Sequence, residues 1–153
     1  MIKFIAHRGN YNGDNINENT IDKINYCIDV MGYDVEIDVR CVNDNFLLGH
    51  DIGEQEVSFS FLYENRDKLW VHCKDLSSFE LLMDNELNVF YHTDEAVVLT
   101  SKGYVWTYPG QLQIKNSILV MPETLEDISF DCIVGICSDN IEYYKYKHQE
   151  SIK

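Results

Sequence analysis

Between Tyr33 and Asp51 the chain reads YDVEIDVRCVNDNFLLGHD, and this stretch constrains the fold more than any other. Asp34 to Val39 has the pattern of a buried strand. Side chains alternate faces along a strand, so Val35, Ile37 and Val39 project to one side and Glu36 and Asp38 to the other. The apolar face can pack against helices. The opposite face then carries two carboxylates side by side, which repel and resist burial unless a proton or cation sits between them. A divalent metal with oxygen ligands is the simplest such cation. An edge strand with a solvated acidic face is the alternative. A turn at Asn43-Asp44-Asn45 leads to a short return run ending at Gly49-His50-Asp51.

Around this strand the chain alternates between strand-like and helix-like runs. Lys3 to Ala6 reads as a first strand entering His7-Arg8-Gly9, and an Asn-rich loop follows from Asn10 to Asn19. Ile21, Ile24, Tyr26 or Cys27, Ile28 and Met31 recur at helical spacing, with Thr20 or Asn19 as cap and Gly32 as stop. This β-loop-α-β opening predicts two parallel strands joined by a crossover. A weak helix from Val57 to Arg66, a strand at Leu69 to Cys73, a helix from Asp75 or Ser77 to Met83 and a strand at Asn88 to His92 continue the alternation. Ala96 to Thr100 and Tyr104 to Thr107 are separated only by Ser101-Lys102-Gly103, too short for a parallel crossover, and read as a hairpin. Ser117 to Met121, a short helix at Glu123 to Ile128, a strand at Cys132 to Cys137 and a helix from Asn140 to His148 complete the chain. Eight β-like segments in 153 residues fall short of the roughly 250 residues of a full (β/α)₈ barrel. The expected fold is therefore α/β: one domain over residues 1–153, a compact, reduced TIM-like barrel with several outer helices shortened or missing.

A formal net charge of −14 argues against binding nucleic acid or an anionic membrane, both of which need a basic footprint. Any anionic substrate needs local cations: a metal, Arg8, Lys74 or a protonated histidine. No segment approaches the ~20 apolar residues of a membrane span, and MIKFIAHRG lacks the apolar run of a signal peptide. The five cysteines form no CxxC pair and are odd in number, which suits buried reduced thiols in a cytoplasmic protein.

Ionisable residues recur at the carboxyl ends of successive strands: His7 and Arg8 after the first, Glu36 and Asp38 late in the second, and His50 after its return run. His72 and Lys74 end the third, and His92 the fourth. In barrel and open α/β folds that end forms the rim where ligands bind, so topology gathers these residues. A single strand-end histidine is usually structural; the recurrence points to a polyvalent site. Two carboxylates hold a hard divalent cation, Arg and Lys complement phosphate, and two histidines can exchange a proton. No GxGxxG, Walker A or GxSxG pattern supports a nucleotide cofactor or serine hydrolysis. The set suits phosphoryl-ester cleavage.

Four blocks, Ile5-Ala6-His7-Arg8-Gly9, Glu18-Asn19-Thr20, Val35-Glu36-Ile37-Asp38-Val39-Arg40 and Gly49-His50-Asp51, resemble in order and spacing the glycerophosphodiester phosphodiesterase family. Val105-Trp106-Thr107 and Gly135-Ile136-Cys137-Ser138-Asp139 resemble its late strands more loosely. The resemblance implies a phosphodiesterase-type TIM barrel of lipid metabolism, with His7 and His50 as the catalytic acid/base pair. It implies Arg8 and Lys74 on the substrate phosphate, and Glu36 and Asp38 on one divalent metal, calcium or magnesium. The substrate would be a small phosphodiester. Where the family has a third acidic ligand, this chain has His72. It keeps the inward parity and can bind metal through nitrogen, favouring manganese, zinc or iron. Trp106 is expected either to line the pocket, as a family tryptophan does, or to pack in the core. His92 is likewise expected at the pocket or in a structural role, and Glu18 and Asn19 to brace the first loop. Two other outcomes stay open: a lyase that stops at a cyclic phosphate, and a binding module for a phosphorylated metabolite. Oligomeric state is not legible.

Overall fold

In the computed structural model, which describes residues 2–153, the acidic-alternating strand extends from Asp34 to Val42 and is the hub of a ten-stranded sheet. β1 (Lys3–His7) and β5 (Leu69–Cys73) run parallel to this β2 on its two edges. β6 (Asn88–Tyr91) adds to β5, while β10 (Ile133–Ser138), β9 (Ser117–Val120) and β8 (Val105–Thr107) follow β1, all parallel. β7 (Val97–Leu99) pairs antiparallel with β8, the hairpin that the short 101–103 linker demands. β2 also outruns β1. Asp38 O accepts from Gly49 N on one edge and Val39 O from Lys74 N on the other, so β3 (Asn45–Leu48) takes the edge β1 leaves. β4 (Gln55–Glu56) extends β3.

The outer strands β6 and β7 meet without a ladder. Ser101 N donates to Val89 O at 2.8 Å, and Ser101 Oγ accepts from Val89 N at 2.9 Å. The result is a mixed α/β fold whose sheet curls and stops short of closure. Its helices are few and brief: α1 (Ile21–Asn25), α2 (Phe59–Glu64), α3 (Leu76–Leu82) and α4 (Ile141–Ser151). α1 passes into a π-helical turn, Tyr26–Met31, which Gly32 ends in the left-handed region at φ 73°. Neither expected residue caps α1 through its side chain. Instead the Ile21 N–H donates to Gln55 Oε1 at 2.8 Å. The helix expected at Glu123 to Ile128 shrinks to a 3₁₀ turn, Pro122–Thr124, which ends where Leu125 turns extended (φ −92°, ψ 137°); the Glu123 carboxylate accepts from Ser138 Oγ and Asp139 N. No helix among the described residues is long and apolar enough to cross a membrane.

Strand parity divides the core in two. Val35, Ile37, Val39, Val71 and Val89 pack outward against Ile24, Leu62 and Leu82 of the helices. Ile5, Trp70, Phe90, Trp106, Ile118, Val120 and Cys137 fill the inside of the curl. Each large side chain buried there contributes about 1.5–3 kcal/mol of transfer free energy. This plug is the floor on which the polar mouth rests.

Candidate metal centre

Register sets the mouth. His7 lies beside Glu36 on the β1–β2 ladder, Asp38 lies beside His72 on β2–β5, and Lys74 follows two residues on. Neighbouring strands are about 4.8 Å apart, so these side chains meet by necessity.

Asp38 is fully buried. Asn19 grips it twice, donating Nδ2–H to Oδ2 at 3.0 Å and accepting the Asp38 N–H at 3.0 Å. Arg8 Nε lies 3.1 Å from Oδ2, while His72 Nδ1 and Lys74 Nζ lie 3.0 and 3.7 Å from Oδ1. Yet Asp38 Oδ1 and Arg8 Nε make no hydrogen bond: the neighbours are close but not aligned. Burial opposes the Asp38 charge; the His72 ring, Arg8 and Lys74 outweigh it and hold the carboxyl well below its usual range. Glu36 goes the other way. Burial and the adjacent Asp38 push its carboxyl up, against His7, His72 and Arg8. Its Oε2 accepts from Arg8 N at 3.1 Å, and its Oε1 lies 4.0 Å from His72 Nδ1.

Glu36, Asp38 and His72 offer one donor atom each, all within 4.8 Å of one another and all buried. An orphaned, ionised oxygen in such a cluster fits a cation that completes it. Arg8 holds a left-handed backbone, φ 53°, which costs of order 1–3 kcal/mol. Its N–H on Glu36 and its guanidinium on Glu18, at 2.9 Å, retain it there.

His7 Nδ1 bonds Asp139 Oδ1 at 2.8 Å, and its Nε2 faces Glu36 Oε2 at 3.8 Å. A carboxylate can only accept, so Nδ1 carries the proton. Burial would lower the His7 pKa, but Asp139 and Glu36 raise it above its ordinary value. Buried Asn10 donates to Asp139 Oδ1 at 2.8 Å and to Glu18 Oε2 at 3.1 Å, and accepts from Lys23 Nζ. Burial opposes the Asp139 charge too; His7 and Asn10 overcome it and keep that carboxyl low.

His72 packs parallel to two neighbouring rings. Its ring lies 5.2 Å from Phe90 and 4.4 Å from His92, nearly parallel to both, and Nε2 is 3.4 Å from His92 O. Both ring nitrogens of His92 are buried without partners, and burial, His72 and Lys74 pull its pKa down to about 4. Trp106, 2% exposed, packs against Phe90 and Trp70 in the floor beneath. Beside His92 a pocket of about 210 Å³ is lined by Thr93, Asp94, Glu95, Ala96 and Tyr108.

Seven of the sequence-derived residues thus gather: His7, Arg8, Glu36, Asp38, His72, Lys74 and His92. His50 stands apart. Its backbone follows Gly49, whose N–H bonds Asp38 O, but its ring bonds Asp51 Oδ1 at 2.7 Å and is 38% exposed. Gly49 itself is obligatory, because at φ 143° a Cβ would lie 2.0 Å from Ile52 O. Glu18 braces the first loop as expected, but Asn19 does more, fixing Asp38 directly. Sequence reasoning missed Asp139 and Asn10. The one local signal was that Asp139 directly follows the last strand, at the end where the other candidates lie; its place beside His7 comes from the β1–β10 register.

Comparison with protein-family models, curated proteins and solved structures returns no match.

Proposed function

We propose that the chain is a metal-dependent phosphodiesterase acting on a small, glycerophosphodiester-like substrate, the activity its sequence motifs resemble. The observation that carries this reading is the buried Glu36/Asp38/His72 donor set with an orphaned Asp38 oxygen, flanked by two cations and a polarised histidine. Charge supports it. With neutral histidines, the carboxylates of Glu18, Glu36, Asp38 and Asp139 exceed Arg8 and Lys74 by two; a divalent cation cancels that excess, so a phosphodiester monoanion no longer meets net negative charge. Bound there, a divalent ion supplies Lewis-acid polarisation of a phosphoryl oxygen.

The protein groups do the rest. Arg8 and Lys74 stabilise charge developing on the non-bridging oxygens. His7 Nε2, its proton pattern set by Asp139, moves a proton at the attacking or leaving oxygen; His50, carried by Gly49 beside the end of the metal strand, would serve the opposite oxygen once its ring leaves Asp51. The pocket beside His92 has room for one alcohol portion of the diester.

The test is a screen of glycerophosphocholine, glycerophosphoethanolamine, glycerophosphoglycerol and aryl phosphodiesters against a panel of divalent ions. Phosphorus NMR of the product separates hydrolysis from release of a cyclic phosphate. One observation favours a second reading, a binding module for a phosphorylated metabolite: the His50 ring is engaged by Asp51 rather than by the cluster. Saturable phosphate-ester binding with no turnover under any ion would establish that reading and overturn the first.

A further inference from the structure

We propose that the centre selects a first-row transition ion, with His72 Nδ1 as a direct ligand, over calcium and magnesium. This deepens the metal-dependent reading above and rests on it. The tautomer comes first. With a metal on Nδ1 the His72 ring can donate only through Nε2, and the His92 carbonyl, which can only accept, lies 3.4 Å from it. Parallel packing against Phe90 and His92, with interplanar angles of 4° and 7° and those two rings 6.1 Å apart, sets the plane of the His72 ring, and in that plane Nδ1 lies 3.0 Å from Asp38 Oδ1 and 4.0 Å from Glu36 Oε1. A carbonyl on the far nitrogen is the usual second-shell support for a metal-binding imidazole.

The second argument is alignment. His72 Nδ1 and Asp38 Oδ1 are 3.0 Å apart, yet Oδ1 is left without a hydrogen bond. An ion set between the two meets both at once, their lone pairs converging on it and not on each other. Glu36 Oε1, 4.0 Å from Nδ1, completes the donor set.

Donor chemistry then separates calcium and magnesium, which take oxygen, from manganese, iron and zinc. Magnesium sheds water reluctantly and prefers oxygen, whereas imidazole nitrogen favours the later ions.

The experiment titrates the intact chain with Mn²⁺, Mg²⁺ and Ca²⁺ by calorimetry, and records pulsed EPR of the Mn²⁺ form with natural and ¹⁵N-histidine protein. The expected result is one Mn²⁺ bound at least about tenfold more tightly than Ca²⁺ or Mg²⁺, with a directly coordinated histidine-nitrogen coupling. That coupling disappears in His72→Gln, and His72→Glu narrows or reverses the preference. The wild-type spectrum decides without any variant. Mn²⁺ bound with no nitrogen coupling, with a coupling that survives His72→Gln, or no more tightly than Ca²⁺ overturns this inference and leaves the metal-dependent reading standing. No divalent ion bound at all overturns both.

Discussion

Asp34 and Asp38 sit four residues apart on β2, on the same face, and have opposite fates. Asp34, at the base of the sheet, is saturated: Lys3 Nζ at 3.3 Å and Trp70 Nε1 at 3.2 Å meet Oδ2, and Lys68 Nζ at 3.1 Å meets Oδ1. Asp38, at the mouth, is more deeply buried and has as many cationic neighbours, Arg8 and Lys74, yet one of its oxygens makes no hydrogen bond. The first arrangement is complete as it stands and ties three segments together. The second is complete only with something added. Residue type and strand position are alike, so the distinction between a staple and a site is one of hydrogen-bond satisfaction, which a sequence does not display.

That contrast breaks most visibly at Asp38. Asp38→Asn removes a charged ligand and unbalances Arg8 and Lys74; turnover of the phosphodiester is expected to fall by at least about 10⁴-fold, with a parallel loss of Mn²⁺ affinity. Unchanged calorimetric binding in this variant would detach the carboxylate from the metal. Next in size is Asp139→Asn. An amide can donate to His7 Nδ1 and so move the ring proton to Nε2, and kcat is expected to drop by about 10²–10³ with little change in KM. ¹⁵N shifts of the His7 ring report the tautomer directly, and Asp139→Glu should recover part of the rate.

Asp34→Asn sharpens the comparison from the other side. It is expected to leave metal binding and kcat within about twofold while lowering the urea-unfolding free energy by about 1–3 kcal/mol, through the weakened Lys3, Lys68 and Trp70 contacts. A loss of activity at unchanged stability would erase the proposed division of labour.

The smallest effect concerns pH. In the folded chain the Asp139 pKa lies below its ordinary 3.8, so its contribution is present above that value and is lost as pH falls through the folded pKa. The His7 pKa lies above its ordinary 6.5, so its contribution is full below 6.5 and lost as pH rises through the folded value. The pair therefore stabilises the metal-free protein most between about pH 4 and 6.5. Wild type should exceed Asp139→Asn there by about 1 kcal/mol, and urea midpoints measured from pH 3 to pH 9 should show the gap closing at both ends. A pH-independent gap would mean that the ion pair adds nothing.

Much of this architecture was legible because it follows from period and length. The two-residue alternation of Asp34 to Val39, the short Ser101–Gly103 linker and the strand-end polar residues translate directly into ladder, hairpin and mouth. Non-local satisfaction was not legible. Nothing near Thr20 says that Gln55 caps its helix, and nothing near Glu123 says that its carboxylate is taken by Ser138 and Asp139. Asp139 went unnoticed for a related reason: its role depends on β10 returning beside β1, a pairing 132 residues apart. His50 shows the opposite case, since its motif fixes the Gly49 backbone but leaves the ring free to bond its neighbour.

The central claim is that Glu36, Asp38 and His72 hold an ion without which the diester is not cleaved. The direct test is turnover of a phosphodiester by protein stripped with chelator, followed as Mn²⁺ is returned stepwise. The account predicts no measurable turnover in the stripped protein, recovery that saturates at one ion per chain, and no recovery in the Glu36→Gln, Asp38→Asn double variant. Turnover that continues undiminished in chelator, or is restored equally in the double variant, would contradict it.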